Sequence, residues 1–147
     1  MLFVLLAGCS KTAAPPPALD PPKPFVLTGL RLQLDAPGNA TIASSSDSEA
    51  TLTWPDVRVS IRNNSRGLFA ANLDAAAAAI TNARISKRER TADGWDLRYD
   101  DTLGGDTLYT VSIHRTIAEV AIECVGSSAS TTGADSVATA CATLRPK

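Results

Sequence analysis

The chain has 147 residues, of which 44% are hydrophobic, so it fits one globular core plus a targeting segment and is too short for two cores. Its 14 basic and 15 acidic residues nearly cancel, without a dominant block of one sign, which argues against nucleic-acid binding. After the first nine residues no apolar run approaches the roughly 18 residues that a membrane-spanning helix needs. Attachment to a membrane would therefore depend on something other than a helix.

The N-terminus is an apolar run that ends in Leu6-Ala7-Gly8-Cys9. This tetrapeptide resembles the lipobox of bacterial lipoprotein precursors. The resemblance implies cleavage before Cys9, attachment of a diacylglycerol to its thiol and acylation of the freed amine. The run lacks Lys and Arg and is shorter than a normal secretory signal, so we expect residues 1–8 to be a signal-peptide remnant behind a start codon placed too late. The alternative is an apolar stub that happens to end in cysteine.

Residues 10–24 contain six prolines, which block helix formation and favour extended polyproline II structure. We therefore expect residues 9–24 to be a lipidated cysteine with a proline-rich tether, followed by one globular domain over residues 25–147. At about 3.1 Å per residue the tether would hold that domain roughly 40 to 50 Å from the lipid. A proline-rich ligand for another protein is the alternative. Ser10 stands where many inner-membrane lipoproteins carry aspartate, so the resemblance favours the outer membrane.

From Phe25 onward, alternating apolar and polar residues predict short strands. The first has one apolar face made of Val26, Leu30, Leu32 and Leu34. A turn is predicted at residues 35–38, a short strand at 39–43 and a polar loop at 44–49. Two further strands follow, with apolar positions at Leu52 and Trp54 and at Val57, Val59 and Ile61. The second of these strands has a solvated face formed by Arg58, Ser60 and Arg62.

A first helix is predicted with Asn72 as its N-cap and Asp74 in its first turn. Its apolar stripe is Leu73, Ala76, Ala77, Ile80 and Ala83. A polar strand over Arg84 to Thr91, a turn at residues 92–94 and a strand with Trp95, Leu97 and Tyr99 on one face come next. Two hairpins follow, with apolar positions at Tyr109, Val111 and Ile113 and at Val120, Ile122 and Cys124. The chain closes on a helix from Thr132 to Arg145.

This order of elements predicts an α+β domain, a mostly antiparallel sheet packed by two helices. Asn72 with its alanine-rich helix, Gly94-Trp95, the strand of Tyr109 and Arg115, and the segment Val137 to Arg145 follow in the same order as in a known architecture. They resemble small bacterial envelope domains related to the PsbP and DcrB proteins. The resemblance implies an α/β/α sandwich and supplies no catalytic residues.

Cys124 and Cys141 are predicted to form a disulfide. Cys124 has the inward parity of its strand and Cys141 lies on the apolar stripe of the last helix, so packing that helix on the sheet brings the two sulfurs together. An exported protein favours the bond over two buried thiols. Closing a loop of about 18 residues should contribute roughly 3 kcal/mol to stability.

Candidate chemistry is sparse. His114 is predicted to be an outward-facing surface residue near Glu119 and Glu123, without a specified nucleophile or pocket. A zinc site lacks further ligands, because one cysteine is lipidated and the other two are paired. Asp100, Asp101 and Asp106 surround Gly104-Gly105, but their spacing fits a hairpin turn better than a calcium loop. The other acidic residues are expected mostly in turns or on solvated strand faces, and we expect no cofactor.

The remaining candidate surface is a basic cluster on one predicted strand, made of Arg84, Lys87, Arg88 and Arg90. These residues would contact lipid headgroups or an anionic polymer, or they would protect an exposed strand edge by charge. The sequence thus favours a non-enzymatic envelope lipoprotein that binds an envelope protein or a cell-wall component. A small-ligand carrier or an accessory subunit of a transport assembly is the alternative, and a small hydrolase comes third.

The first prediction concerns lipidation. With the upstream start restored, labelled fatty acid should enter the wild-type protein and not the Cys9→Ala variant, because only the Cys9 thiol can carry the diacylglycerol. Equal labelling of both proteins would contradict the lipobox interpretation.

Overall fold

The computed structural model describes residues 18–103 and 105–147, so Cys9 and most of the predicted tether lie outside the described residues. No helix in this part of the chain is long and apolar enough to cross a membrane. The elements in chain order are β1 (Pro22–Leu27), β2 (Leu32–Pro37), β3 (Thr41–Ser45), β4 (Glu49–Trp54), β5 (Val57–Asn63), α1 (Leu73–Ala78), β6 (Arg84–Thr91), β7 (Gly94–Leu103), β8 (Asp106–Ile117), β9 (Val120–Ser128), α2 (Thr131–Ala142) and β10 (Arg145–Pro146).

The fold is built on antiparallel sheet, as predicted. Seven strands form one sheet in the order β3-β4-β5-β9-β8-β7-β6, and a smaller sheet has the order β1-β2-β10. Within the large sheet, consecutive strands pair as hairpins except at one point. There β9 lies between β5 and β8, so the last long strand joins the N-terminal half of the sheet to the C-terminal half.

One face of the large sheet carries the main core. Residues directly opposite each other in antiparallel strands project to the same side. Ile61, Cys124 and Ile113 are such partners on β5, β9 and β8, and all three are buried. Helix α2 packs on these three strands and on β2. We call this side the core face and the opposite side the outer face.

Helix α2 lies very close to the sheet. The predicted disulfide between Cys124 on β9 and Cys141 on α2 is confirmed, with 5.8 Å between the two Cα atoms. Gly126 lies two residues further along β9, and a Cβ atom added there would come within 2.8 Å of methyl groups of Val59 and Val137. Only a glycine therefore allows this separation, and side chains fill the space between α2 and strands β5 and β9.

Helix α1 lies on the outer face, against β6 and β7. Its predicted N-cap is confirmed, because the Asn72 side chain accepts a hydrogen bond from the backbone N–H of Ala75 at 2.9 Å. The helix ends at Ala78, whereas the apolar stripe predicted a helix that continues to Ala83. Beneath it a second small core contains Leu73, Ala77, Trp95 and Leu97.

The N-terminal segment corrects the prediction of one strand through residues 26–34. The chain instead forms a hairpin of β1 and β2, in whose turn Arg31 adopts a positive φ of 56° and its N–H donates to the Thr28 carbonyl. Gly29 fits this turn against the neighbouring loop, because a Cβ atom there would lie 2.0 Å from the backbone oxygen of Ser46.

Three predicted boundaries also move. The tether was predicted to reach Pro24, but β1 begins at Pro22 and pairs with Pro37, so the turn predicted at residues 35–38 shifts to residues 38–40. Proline is compatible with β1 because this strand is the edge of its sheet. The last helix ends at Ala142, and Arg145 belongs to β10, where it pairs with β2.

The second prediction concerns the disulfide. A Cys141→Ser variant should lose roughly 3 kcal/mol of unfolding free energy, because the denatured chain regains the entropy of a loop spanning 17 residues. Denaturant unfolding of the oxidised wild type and the variant measures this difference. A variant as stable as the wild type would contradict the structural importance of the bond.

Candidate functional site

The register of the strands arranges the outer-face side chains in rows that run across the large sheet. One row runs from Arg90 on β6 through Trp95, His114 and Glu123 to Arg62 on β5. Two further rows carry mostly hydroxyl groups on β3, β4, β5, β9 and β8. Helix α1 covers only the end of the rows nearest to β6. The outer face is therefore partly covered and partly open.

The predicted basic cluster does not form one surface. Strand β6 is the outermost strand of its sheet, as the charge-protected edge interpretation requires. Arg88 and Arg90 are opposite Leu97 and Trp95 and project to the outer face, whereas Lys87 projects to the other side. The four basic side chains thus point in two directions, because the side chains of a strand alternate between its faces.

Each of these four basic side chains is in an ion pair. Arg84 contacts Asp100 at 3.1 Å, and Arg88 and Arg90 both contact Asp74 in the first turn of α1. The hydrogen bond from Arg88 is the main reason that the pKa of Asp74 is lowered, although partial desolvation opposes it. The pairs at Asp74 are exposed, so each contributes little to stability. Their main effect is to neutralise the two arginines nearest to α1.

Lys87 belongs to a buried charge network that the sequence analysis missed. Asp96 is only 6% exposed, although we expected acidic residues in turns or on solvated strand faces. Burial raises the pKa of Asp96, but hydrogen bonds from Arg98 at 2.8 Å and Lys87 at 2.7 Å outweigh burial and leave the pKa lowered. The carboxylate is therefore charged and fully engaged by these two cations.

The position of His114 corrects the prediction of a surface histidine. Its imidazole ring stacks on Trp95, with ring centres 4.0 Å apart and planes 6° from parallel, and Phe69 meets it edge-on at 5.7 Å. The Nδ1 atom is buried and lacks a hydrogen-bond partner among the described residues. Burial lowers the pKa of His114, against the opposing effect of Glu123 and Asp93. The alternation of side chains along β8 correctly predicted that His114 projects to the outer face. It did not predict the burial, because the segment that covers this part of the face is distant in sequence.

The acidic neighbours of His114 do not complete a catalytic pair. Glu123 is directly opposite His114 but forms an ion pair with Arg62, and Glu119 lies in the β8–β9 turn. Within the described residues there is no group of three or more His, Cys, Asp and Glu side chains able to hold a metal ion. Asp101 and Asp106 lie in the β7–β8 hairpin, where a turn was predicted.

Three cavities lie near the outer face or at the ends of its strands. One of about 100 Å³ lies beside Phe69, and its lining includes Arg62 and Arg66 but not His114. A shallow polar depression of about 270 Å³ surrounds Arg58 near β3. The third is a groove of about 370 Å³ at the end of the sheet, lined by Leu30, Arg31, Leu32, Asp47, Asn63, Ile117, Ala118, Val120 and Ile122, together with Gly29 and Pro146.

Comparison with known proteins gives a likeness of fold alone. No family model matches the chain, and no curated protein matches it. A crystal structure of a protein from Bacteroides thetaiotaomicron is similar, with a TM-score of 0.51 and 13% sequence identity over 85% of this chain. The match covers 48% of that protein, so the chain spans about half its length.

The third prediction tests the buried network around Asp96. Replacing Asp96 by alanine should reduce the unfolding free energy by about 2 kcal/mol, because it leaves Lys87 and Arg98 without their shared acceptor. Asp135→Ala is the matched control, since Asp135 is an exposed partner of the same Arg98 at 3.5 Å and should contribute less than about 0.5 kcal/mol. Equal losses in the two variants would contradict the network.

Proposed function

We propose that the chain is a bacterial envelope lipoprotein that binds a cell-wall component without catalysing a reaction. In this proposal Cys9 carries the lipid, the outer membrane holds the chain, and the domain faces the periplasm. The PsbP-like sandwich belongs to the same proposal. The observation that carries it is the uncovered part of the outer face, which we call the open face and which consists of Thr41, Ser44, Thr53, Arg58, Ser60, Ser112, Val125 and Ser127.

The open face has the chemistry of a surface for a polar, anionic polymer. Arg58 is exposed, and the ion pairs among the described residues do not include it. The depression around it is lined by hydroxyl groups and by one carboxylate, that of Glu49, which accepts a hydrogen bond from Ser60 at 2.5 Å. A guanidinium group among hydroxyls suits phosphate, carboxylate and sugar hydroxyl groups.

The state of the reactive side chains supports binding over catalysis. General acid–base chemistry needs a group that reaches a substrate, but the His114 ring is stacked between aromatic side chains and Glu123 is held by Arg62. The two cysteines of the domain are bonded to each other. A hydrolase therefore has less support here than a binding protein.

The place where the tether joins the domain suits this role. Ala18 and Leu19 lie beside Pro55 and the first turn of α2, at the end of the sheet where β5 begins. The strands of the open face run away from this end. A domain anchored at this end would extend its open face away from the point of attachment.

A small-ligand carrier is the second candidate. The groove at the far end of the sheet has a volume within the usual range for ligand sites, and Leu30, Ile117 and Val120 give it an apolar wall. A second cavity, of about 300 Å³, lies between the first turns of α2 and the sheet, and its lining includes Lys87, Arg98 and Val111. An accessory subunit of a transport assembly is the remaining alternative, and it would use the open face to contact a protein.

The fourth prediction tests the open face. The full chain carrying Cys9→Ala, which removes the lipid, should sediment with purified cell-wall material, and the further change Arg58→Glu should reduce the bound fraction several-fold by reversing the central charge. Arg31→Glu is the matched control, because it makes the same charge change in the distant β1–β2 turn. Equal binding by the Arg58 and Arg31 variants would contradict the proposal, as would an absence of binding by the starting protein.

A further inference from the structure

The segment of residues 64–80, which we call the strap, crosses the outer face above Trp95 and His114. It leaves the end of β5, contributes Phe69 to the aromatic stack and then forms α1. The strap begins at the opposite end of β5 from the tether. It covers an apolar patch made of Trp95, Leu97, Ile85 and Tyr99.

The strap is attached by few contacts. Its helix has six residues, too short to be stable without tertiary contacts, and only Leu73 and Ala77 are buried. The ion pairs of Asp74 with Arg88 and Arg90 are exposed and are screened by salt. Leu68 is 76% exposed and adds nothing to the attachment. Before α1 the strap is held by the contact of Phe69 with His114, by Ala70 on the apolar patch and, at its first residue, by the hydrogen bond from the Asn64 N–H to the Ala121 carbonyl at 3.0 Å.

That contact requires a neutral imidazole. Among the described residues, the buried Nδ1 atom of His114 has no hydrogen-bond partner, and neither has the buried Nε1 atom of Trp95 beside it. A neutral ring tolerates an unused acceptor at this position. Protonation would convert Nδ1 into a buried donor without an acceptor and would add a charge beneath Phe69, and both changes disfavour the closed arrangement.

The charged groups around His114 only partly offset this cost. On β9 Glu123 faces it but is held by Arg62 of β5, and Asp93 precedes β7 and is held by Arg115. On β6 Arg90 lies in the same row as His114, opposite Trp95, and its charge repels an imidazolium. The face of Trp95 attracts a cation, which favours the protonated ring.

The charged residue of α1 is Asp74. It already forms ion pairs with Arg88 and Arg90 of β6. The other charged residue of the strap is Arg66, which lines the cavity beside Phe69. Its positive charge also disfavours protonation of His114. The groups that surround His114 therefore leave an imidazolium less well satisfied in the closed strap than in water.

From this geometry we propose that the strap is an acid-released cover: protonation of His114 detaches residues 64–80 and uncovers Trp95, Leu97, Arg88 and Arg90 while the rest of the fold stays intact. The cover does not depend on cell-wall binding by the open face. It adds a second, conditional surface beside that face, apolar at its centre and cationic at its edge once Asp74 has left.

The direction of the pH effect follows from linkage. Because burial holds the pKa of His114 below its usual value of 6.5, the closed strap binds fewer protons than the open one. Above pH 6.5, the usual pKa of a histidine, His114 contributes its full share to the stability of the closed strap. This contribution is lost as the pH falls through the lower pKa that His114 has in the closed strap. Between the two values the opening equilibrium should rise roughly tenfold per pH unit.

Hydrogen exchange of the full chain tests the proposal. The probes are the backbone N–H groups of Ala76, Ala79 and Ile80, which donate within α1, and the reference is α2 in the same molecule. After correction for intrinsic exchange rates, protection of the strap relative to α2 should fall between about pH 7.5 and about pH 5. Constant relative protection in the wild type would overturn the proposal.

Three variants separate the histidine from other titrating groups. His114→Phe keeps an aromatic ring in the stack and His114→Gln replaces it by a neutral amide, and in either variant the relative protection of the strap should become independent of pH in this range. Asp74→Asn should lower protection by a similar factor at both pH values and keep the wild-type pH dependence. The proposal would also be overturned if a folded His114 variant still lost strap protection at low pH as the wild type does.

Discussion

The close approach of α2 to β9 is the constraint on which the rest of the domain depends. It is set at two neighbouring points, the bond between Cys124 and Cys141 and the absence of a side chain at Gly126. Because α2 is held so close, valine and isoleucine side chains fill the space beneath it. Little room is left between this helix and strands β5 and β9, and a cavity of about 300 Å³ lies instead beside the first turns of α2, where Lys87, Arg98, Val111 and Ala134 line it.

The close packing of α2 also makes the two faces of the large sheet different. The core face has its apolar residues covered by α2 and by the small sheet, so the outer face needs little hydrophobic cover of its own. Its apolar side chains are concentrated at the β6 and β7 end, and a six-residue helix covers them there. The remaining strands show arginine and hydroxyl groups to solvent. In the proposed function, the core face supplies the stability of the domain and the opposite face supplies its binding surface.

Local patterns in the sequence predicted the features whose causes are local. The Asn72 cap, the polar edge strand β6, the hairpins and the cysteine pair follow from neighbouring residues or from alternation. His114 and Asp96 did not follow from them, because their surroundings depend on register across strands distant in sequence. Trp95 meets His114 only because β7 and β8 pair as they do, and Phe69 meets it through a segment 45 residues earlier. Alternation assigns a residue to a face but does not reveal what covers that face.

The position of β9 between β5 and β8 also affects how the chain reaches this fold. Strands β3, β4 and β5 can pair with each other early, but β5 keeps an unpaired edge until residues 120–128 are present. Val59 and Ile61 then lack their covering helix as well, since α2 comes later still. Contacts between distant parts of a chain form slowly because a long loop must first be closed. A polypeptide that emerges from its N-terminus, at a ribosome or through a membrane, therefore stays incomplete until nearly its whole length is available.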